Sequence, residues 1–423
     1  IRGGIMNRKL LAAALCSCTA IPAFAQTSLS IYGIVDAGVQ ASRFGNGTQY
    51  NLASGMADGS RLGFKGTEDL GGGFKAMFTL ESRFEVDTGE LRNGYLGKNP
   101  DFGLVRGVPL PAASSLALAT ALGQNGAVVN ASGALFDRTA MVGLVTPGGA
   151  ILLGRQYTPA YEVGAMADTF ETGSVGGWGS ITTGTSALYT PGVAIRSSNA
   201  LQYRLQLPNG LGASLMYSPE DRGSGSLGVG NRFVGGNLLY QAQGFNVGIG
   251  YNREDDPFGA RSLRTAVAGG SYTMGNMKFF VGYMTMKNDN PGIGFALTPT
   301  VTAALGAAGA PLVPTVVATI NSNARLDAKS YSVGMHYTIG AGRLMGAFAQ
   351  TKNDLFADAD VKLFSLGYDY NLSKRTDMYV FFAYANNDPN AQYALGGAGY
   401  SGGFTTAGGQ DARAVQLGIR HKF

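Results

Sequence analysis

The chain has 423 residues, including 65 glycines, and its charged residues comprise 32 basic and 27 acidic side chains. The charged fraction of 14% is far below the ~25% usual in soluble globular proteins, yet the mean hydropathy of +0.05 is too low for a bundle of membrane-spanning helices. Disorder is disfavoured by a hydrophobic fraction of 45%, and the glycines lack the three-residue period of collagen. Length allows two or three soluble domains, or one large β-structure.

Residues 6–25 have the layout of a secretory signal peptide. Two basic residues, Arg8 and Lys9, precede an apolar run at 10–16, and Ala23-Phe24-Ala25 forms a cleavage site of the A-x-A type. The segment therefore predicts export from the cytoplasm.

Cleavage after Ala25 would leave residues 26–423 as a single domain, and we expect residues 1–5 to be extraneous upstream sequence. Lipid attachment at Cys18 is an alternative, although the apolar stretch before it is very short. Cleavage removes both cysteines, which excludes disulfides, thiolate metal sites and cysteine nucleophiles. It also removes three basic residues, so the remaining charge is 29 minus 27, or +2, which is far less basic than a nucleic-acid-binding surface.

The rest of the chain lacks the ~18 consecutive apolar residues that a spanning helix requires. Instead, segments of roughly ten residues alternate with period two and end at Gly, Asn, Asp or Pro, which is typical of transmembrane β-strands. In the first segment, Leu29, Ile31 and Val35 share one face, while Tyr32 and Asp36 share the other. The same alternation recurs at 74–83, 199–207 and 415–423.

About sixteen such segments are joined by connectors that alternate between short and long. The short connectors lie at 68–73, 146–149, 208–210, 241–244, 274–276, 340–342 and 371–375. The long ones lie near 40–59, 86–136, 159–195, 219–230, 252–262, 288–328, 353–360 and 386–412. The pattern predicts an all-β fold, a transmembrane antiparallel β-barrel with short periplasmic turns and long extracellular loops.

The bilayer requires such a sheet to close, because an open edge in hydrocarbon leaves backbone groups unsatisfied at several kcal/mol each. A barrel of about sixteen strands is too wide for side chains to fill, so we expect its polar inner face to contact water. Such a tube conducts solutes unless something blocks it.

Four blocks resemble the Gram-negative general porins, especially those of beta-proteobacteria: 28–38 (SLSIYGIVDAG), 60–71 (SRLGFKGTEDLG), 154–159 (GRQYTP) and 418–423 (GIRHKF). The resemblance implies a 16-stranded barrel in the outer membrane, surrounded by lipid and lipopolysaccharide. It implies a homotrimer, with no cofactor, through which small hydrophilic solutes and ions diffuse passively. The third extracellular loop, residues 159–195, which we call loop 3, would fold into the pore, and the terminal Phe423 would be the signal that the barrel-assembly machinery reads.

The same resemblance implies a charged constriction, where opposed rings of charge sort ions and dipolar solutes. The basic side would comprise Arg61, Arg138, Arg155 and Arg196. The acidic side would lie on loop 3 and comprise Glu162, Asp168 and Glu171, although loop carboxylates are often merely solvated. Strand parity independently supports an inward direction for Arg61 and Arg196 but not for the other two arginines. Trp178 in the same loop would either contact the pore or pack the loop against the wall.

Motifs of soluble enzymes occur without their structural context, so we expect no catalytic and no metal site. The G-x-S-x-G match at 399–403 lies in a glycine-rich loop with no following helix. The G-x-G-x-x-G match at 223–228 lies outside any βαβ unit. The two histidines, His336 and His421, are isolated in separate strands.

Two long loops, 86–136 and 288–328, are enlarged relative to the family and rich in Ala, Gly, Val and Pro. They could be small helices that cap the pore mouth, a contact with a subunit or partner, or surface without a specific role. Accordingly, a substrate-specific channel and an adhesive or structural barrel closed by long loops stay open as alternatives. Ion selectivity, exclusion limit and voltage gating are not predicted.

Overall fold

The computed structural model describes residues 28–45, 47–91, 134–183, 192–219, 232–256, 258–292, 294, 297–396 and 404–423, within which seventeen strands form one antiparallel sheet. In chain order the first nine are β1 Ser28–Arg43, β2 Gln49–Ser54, β3 Arg61–Gly71, β4 Phe74–Arg83, β5 Thr139–Thr146, β6 Gly149–Tyr157, β7 Arg196–Gln206, β8 Leu211–Ser218 and β9 Phe233–Ala242. The other eight are β10 Phe245–Asp255, β11 Arg261–Met274, β12 Met277–Asn288, β13 Leu326–Ile339, β14 Gly342–Asn353, β15 Val361–Asn371, β16 Thr376–Asn387 and β17 Ala412–Lys422.

The sheet closes between its first and last strands, from the pair Ile34 and Lys422 to the pair Arg43 and Arg413. On its other side β1 pairs with both β2 and β3 in succession. The short strand β2 and the strand β3 therefore share one position, and the barrel has sixteen positions, which confirms the predicted fold class. Closure leaves no sheet edge exposed to hydrocarbon.

The break between β2 and β3 is organised by a buried carboxylate. The Asp36 side chain on β1 accepts hydrogen bonds from the backbone amides of Ala57 and Asp58 at 2.9 and 2.7 Å, and from the Tyr379 hydroxyl at 2.5 Å. Residues 55–60 thus turn away from the sheet into the barrel, and Met56 is fully buried. The loss of ladder hydrogen bonds there is offset by bonds to one charged acceptor.

The side chains alternate along the strands as the sequence predicts. In β17, Val415, Leu417 and Ile419 are 43, 49 and 47% exposed, whereas Gln416 between them is fully buried. The exposed set is apolar because it faces hydrocarbon, and the covered set faces the interior. This pattern confirms the predicted outward and inward faces.

Short turns and long connectors also alternate as predicted, and two of the long connectors contain helices. Loop 3 contains α1, Pro159–Ala167, and a 3-10 turn, Trp178–Ile181. The connector between β12 and β13 contains α2, Thr298–Gly309, and α3, Val313–Asn323, which form an apolar segment long enough to cross a membrane but only 22% buried. The enlarged loop 288–328 is therefore helical, while most of the loop 86–136 and the signal segment 6–25 lie outside the described residues.

The interior is not uniformly polar, which differs from the expectation of a polar inner face. Inward-facing apolar side chains of β14 to β17, such as Leu363 and Ala383, join a buried cluster with Val175 and Ile181 of loop 3. Tyr393 and Leu395 of the last long connector complete this cluster. Two loops thus fill one side of the barrel, and the open passage lies against the opposite wall.

Candidate pore constriction

Loop 3 begins at a helix whose start is held by the barrel wall. Thr158 caps α1 by accepting a hydrogen bond from the Tyr161 amide at 3.4 Å, and Pro159 occupies the first turn, where no donor is needed. From β10, Asn252 donates to the Thr158 hydroxyl at 2.9 Å and accepts from the Ala160 amide at 3.1 Å. The sequence Thr158-Pro159 therefore starts α1, and the side-chain amide of Asn252 on the wall fixes the position of its first turn.

The middle of loop 3 is seated by Trp178, which packs the loop against the wall and does not face the pore. Its indole is 3% exposed, and its N–H donates to the Ser330 hydroxyl at 2.8 Å. The ring lies over Gly282 of β12, where a Cβ atom would come within 2.5 Å of it. Further along, Ile181 accepts a hydrogen bond from Thr351 at 3.0 Å. The wall is thus shaped to receive this turn.

Two acidic residues of loop 3 have different roles. Glu171, at a positive φ of 57°, receives two hydrogen bonds from Arg343, at 2.6 and 3.3 Å. Burial acts to raise the pKa of Glu171, but the hydrogen bond and charge of Arg343 outweigh it and lower the pKa to about 2. Asp168 is 2% exposed and accepts the Phe170 amide at 2.9 Å, so it organises the loop from within.

The basic side of the passage is a cluster built around one phenol. Arg138 donates to Glu81 at 2.5 Å and to the Tyr157 hydroxyl at 3.0 Å. From β7, Arg196 donates to the same hydroxyl at 2.7 Å and lies 4.3 Å from the ring centroid. Tyr157 in turn stacks on Tyr161 of α1 with the centroids 5.4 Å apart. The ring face attracts the Arg196 guanidinium and so fixes the position of its charge beside the passage.

These groups border a passage of about 500 Å³ between loop 3 and the wall, which we call the gap. Its charged lining consists of Arg61, Arg138, Arg196, Arg204, Asp58, Glu162 and Glu171. Of the residues that the sequence singles out, the structure thus brings together three arginines and two carboxylates. It places Arg155 and Asp168 outside this lining.

Arg155 is set back from the gap because it lies where the pairing of β6 with β7 shifts register. Its side chain donates to the Asp137 carbonyl at 2.5 Å and to the Ser198 hydroxyl at 2.8 Å. Strand parity does not hold across such a bulge, so its side-chain direction could not be derived from the sequence.

Three lining residues escaped the sequence analysis. Tyr157 stands in the block 154–159, which carries the resemblance, but it lies beyond the register shift of β6, so parity with the inward Leu152 could not have found it. Arg204 lies in the alternating segment 199–207, but its salt-bridge partner Glu162 lies in loop 3, and no local pattern links the two. Asp58 pairs with Arg61 and lies in the interrupted strand, where alternation gives no signal.

The opposite environments of the two loop carboxylates predict a pH dependence of loop 3. Burial raises the pKa of Asp168 to about 6, so its contribution to docking is complete below its ordinary value of 3.8 and disappears as the pH rises through 6. The Glu171 contribution is present above its ordinary value of 4.5 and is lost as the pH falls towards 2. Between about pH 5 and 7 Glu171 stays ionised, so of these two carboxylates only Asp168 titrates.

We therefore expect Asp168 to stabilise the docking of loop 3 when the pH is lowered from about 7 to 5. Other groups against the loop, such as His336 on the Thr169 carbonyl, are the same in both proteins, so the effect is the difference between the wild type and the Asp168→Asn variant. Single-channel recording should show that lowering the pH reduces brief closures more in the wild type than in Asp168→Asn, which keeps an acceptor for the Phe170 amide but cannot ionise. An equal pH response in both proteins would contradict the assignment to Asp168.

Within the described part of the chain, no group of three or more His, Cys, Asp or Glu side chains could hold a metal ion. A closed antiparallel barrel with an apolar outer wall and a charged passage through its interior is a membrane channel. Comparison with known proteins identifies the kind of channel. The chain belongs to the Gram-negative porin family, whose model matches residues 11–391.

The relatives include an outer membrane porin protein of Bordetella pertussis, 27% identical over 99% of this chain and 100% of its own. Outer membrane porin protein 32 of Delftia acidovorans is 26% identical, with 99% of this chain and 100% of that protein covered. Among solved structures, an anion-selective porin from Comamonas acidovorans matches with a TM-score of 0.68 and 23% identity over 94% of this chain and all of its own. The protein is thus an outer-membrane porin, a water-filled channel for passive diffusion of small hydrophilic solutes and ions.

Proposed function

We propose that this porin is a general diffusion pore with a preference for anions, and that the gap is its narrowest part. The observation that carries the proposal is Arg196, which lines the gap and has no carboxylate within salt-bridge distance in the described ranges. A fixed positive charge in a narrow, low-dielectric passage raises the local concentration of anions.

The other charged residues of the gap support the proposed anion preference, because each of them is paired with a residue of opposite charge. Arg61 pairs with Asp58, Arg204 with Glu162, and Arg138 with Glu81 just behind the lining. Glu171 is neutralised by Arg343 at 2.6 Å. The four arginines and three carboxylates of the lining therefore leave the excess positive charge at Arg196. The anion-selective porin from Comamonas acidovorans, which shares this fold, is consistent with such a preference.

We further propose that the chain works as a homotrimer without catalytic activity or cofactor. The matched structures include a trimer form of OmpT from Vibrio cholerae, with a TM-score of 0.56 and 14% identity. Residues 6–25 would be removed as a signal peptide on export, leaving 26–423 as the barrel domain.

The test is single-channel recording of the purified protein in a planar bilayer with a KCl gradient. We expect large ohmic steps that close in groups of three, and a zero-current potential whose sign shows chloride to be more permeant than potassium. The opposite sign would refute the anion preference alone. Silence, or conductance far below that of a wide water-filled pore, would refute the open diffusion pore.

The terminal Phe423 is proposed as the signal for assembly. Its backbone exchanges two hydrogen bonds of 3.1 Å with Gly33, and its side chain is 44% exposed on the outer wall. We expect Phe423→Ala to slow insertion by the barrel-assembly machinery by about tenfold while folding in detergent proceeds almost unchanged, since one exposed side chain adds little to the closed ladder. Equal slowing in both assays would show a structural role instead.

A further inference from the structure

The cationic side of the gap continues along β3 towards the periplasmic turns. Arg61, which lines the gap, and Lys65 share the inward face of this strand, four residues or about 13 Å apart. The short turn between β3 and β4 begins six residues further along, at Gly71. Lys65 therefore lies between the gap and the periplasmic mouth of the barrel.

An aromatic ring holds the ammonium group of Lys65 against the wall. The Lys65 Nζ lies 5.1 Å from the ring centroid of Tyr32 on β1. The ring lies over Gly63, where a Cβ atom would come within 2.3 Å of it, and its hydroxyl donates to Glu81 at 3.1 Å. Because position 63 is a glycine, Tyr32 can lie between Arg61 and Lys65, and the charge of Lys65 has a defined place in the lumen.

The residues that face Lys65 across the strands leave its charge unbalanced. Its partners in the two neighbouring strands are Ser30 of β1 and Thr79 of β4, which are both uncharged. By contrast, Lys75, the other lysine of the β3–β4 hairpin, faces Asp69. In the part of the chain that the structure describes, the Lys65 ammonium is held by the Tyr32 ring and not by a carboxylate.

The positive charge of Lys65 is therefore available to ions in the pore. Glu81, which accepts the Tyr32 hydroxyl, does not balance it, because Arg138 also donates to this carboxylate at 2.5 Å. A fixed charge on the wall of a narrow, low-dielectric passage raises the local concentration of ions of opposite sign. An anion that leaves the gap towards the periplasm thus meets a further fixed cation.

We propose that Lys65 is a second specificity-determining residue of the pore, which extends the attraction for anions from the gap to the periplasmic mouth. The inference rests on the anion preference proposed above and adds a residue outside the gap that contributes to it. Its effect is electrostatic, so it depends on the salt concentration, whereas a change in the shape of the pore would act at every concentration.

The test is the single-channel conductance of the full barrel in a planar bilayer at two KCl concentrations. The Debye length is ~30 Å at 10 mM and ~3 Å at 1 M. We expect Lys65→Gln to conduct about half as much as the wild type at 10 mM and equally well at 1 M. Lys65→Arg keeps the charge and should match the wild type at both. A conductance of Lys65→Gln that is lowered equally at both concentrations would show a structural role and overturn the proposal.

Lys374→Gln is the matched control, because it removes the same charge at the same end of the barrel. Lys374 lies in the short turn after β15, outside the inward face of the strands, and is exposed to water. Its replacement should lower the conductance at 10 mM much less than Lys65→Gln does. Equal reductions in the two variants would show that any charge at the periplasmic rim has this effect, and would overturn the assignment to Lys65.

The sign of the zero-current potential of the wild type separates this inference from the anion preference itself. If chloride is the more permeant ion, unchanged conductance of Lys65→Gln at 10 mM would overturn the role of Lys65 and leave the anion preference intact. If potassium is the more permeant ion, the anion preference is refuted, and Lys65 then repels the permeant ion. In that case Lys65→Gln should conduct more than the wild type at 10 mM, and unchanged conductance would again overturn the role of Lys65.

Discussion

Replacing Arg196 by glutamate is expected to reverse the preference of the pore and make it cation-selective. The arginine lies between the gap and Tyr157. Among the four arginines that line the gap, it is the one that forms no salt bridge with a carboxylate of the described residues. Salt screens the charge of Arg196 only weakly because the side chain is partly buried beside the gap, and the Debye length at 0.1 M salt is ~10 Å. The substitution changes the local charge by two units.

The measurement is the zero-current potential in a tenfold KCl gradient. A perfectly selective pore would reach ~59 mV there, and we expect Arg196→Glu to move the potential by about 20 mV in the cation direction. Arg155→Glu is the matched control, because it makes the same two-unit change in charge in the neighbouring strand but outside the gap. A shift of the same size in both variants would show that overall charge, and not the gap, sets selectivity.

The second large effect is expected from Trp178→Ala, which should release loop 3 from the wall. The indole is 3% exposed, and its removal creates a cavity over Gly282 and removes the N–H that donates to the Ser330 hydroxyl. Truncation of a buried aromatic side chain costs about 3–5 kcal/mol. The barrel itself should persist, since its hydrogen-bonded ladder does not involve the loop.

We therefore expect Trp178→Ala to show larger and noisier conductance, together with faster proteolysis within 168–183. Trp178→Phe keeps most of the packing and loses only the hydrogen bond to Ser330, so its effect should be about 1 kcal/mol and its conductance close to that of the wild type. Loop 3 would not be held by this residue if Trp178→Ala conducted with wild-type amplitude and noise.

Strand alternation and connector lengths were sufficient to predict the fold from local information. In a closed barrel each strand has lipid on one side and the interior on the other, so period two is imposed at every strand independently. The same argument predicts an inward direction for Arg61 and Arg196, both of which line the gap. Resemblance, rather than alternation, indicated Arg138 and the position of loop 3.

Alternation gives no information where a strand is interrupted or where a loop enters the lumen. Residues 55–60 leave the sheet because Asp36 captures their amides, and Arg155 lies at a register shift. The inward faces of β14 to β17 are apolar because two loops cover them. Alternation along the strands does not show which inward faces a loop will cover. None of these features has a local period.

The sequence by itself determined the closed barrel, the outer-membrane location and the region of the charged passage, because each depends on a repeated local pattern or on contiguous motifs. Only the tertiary structure decided which carboxylate of loop 3 organises the loop and which faces the gap. Glu171 meets Arg343 across 172 positions of chain, and Glu162 meets Arg204 across 42. Such pairings depend on how the loop crosses the lumen, and no spacing in the sequence encodes that path.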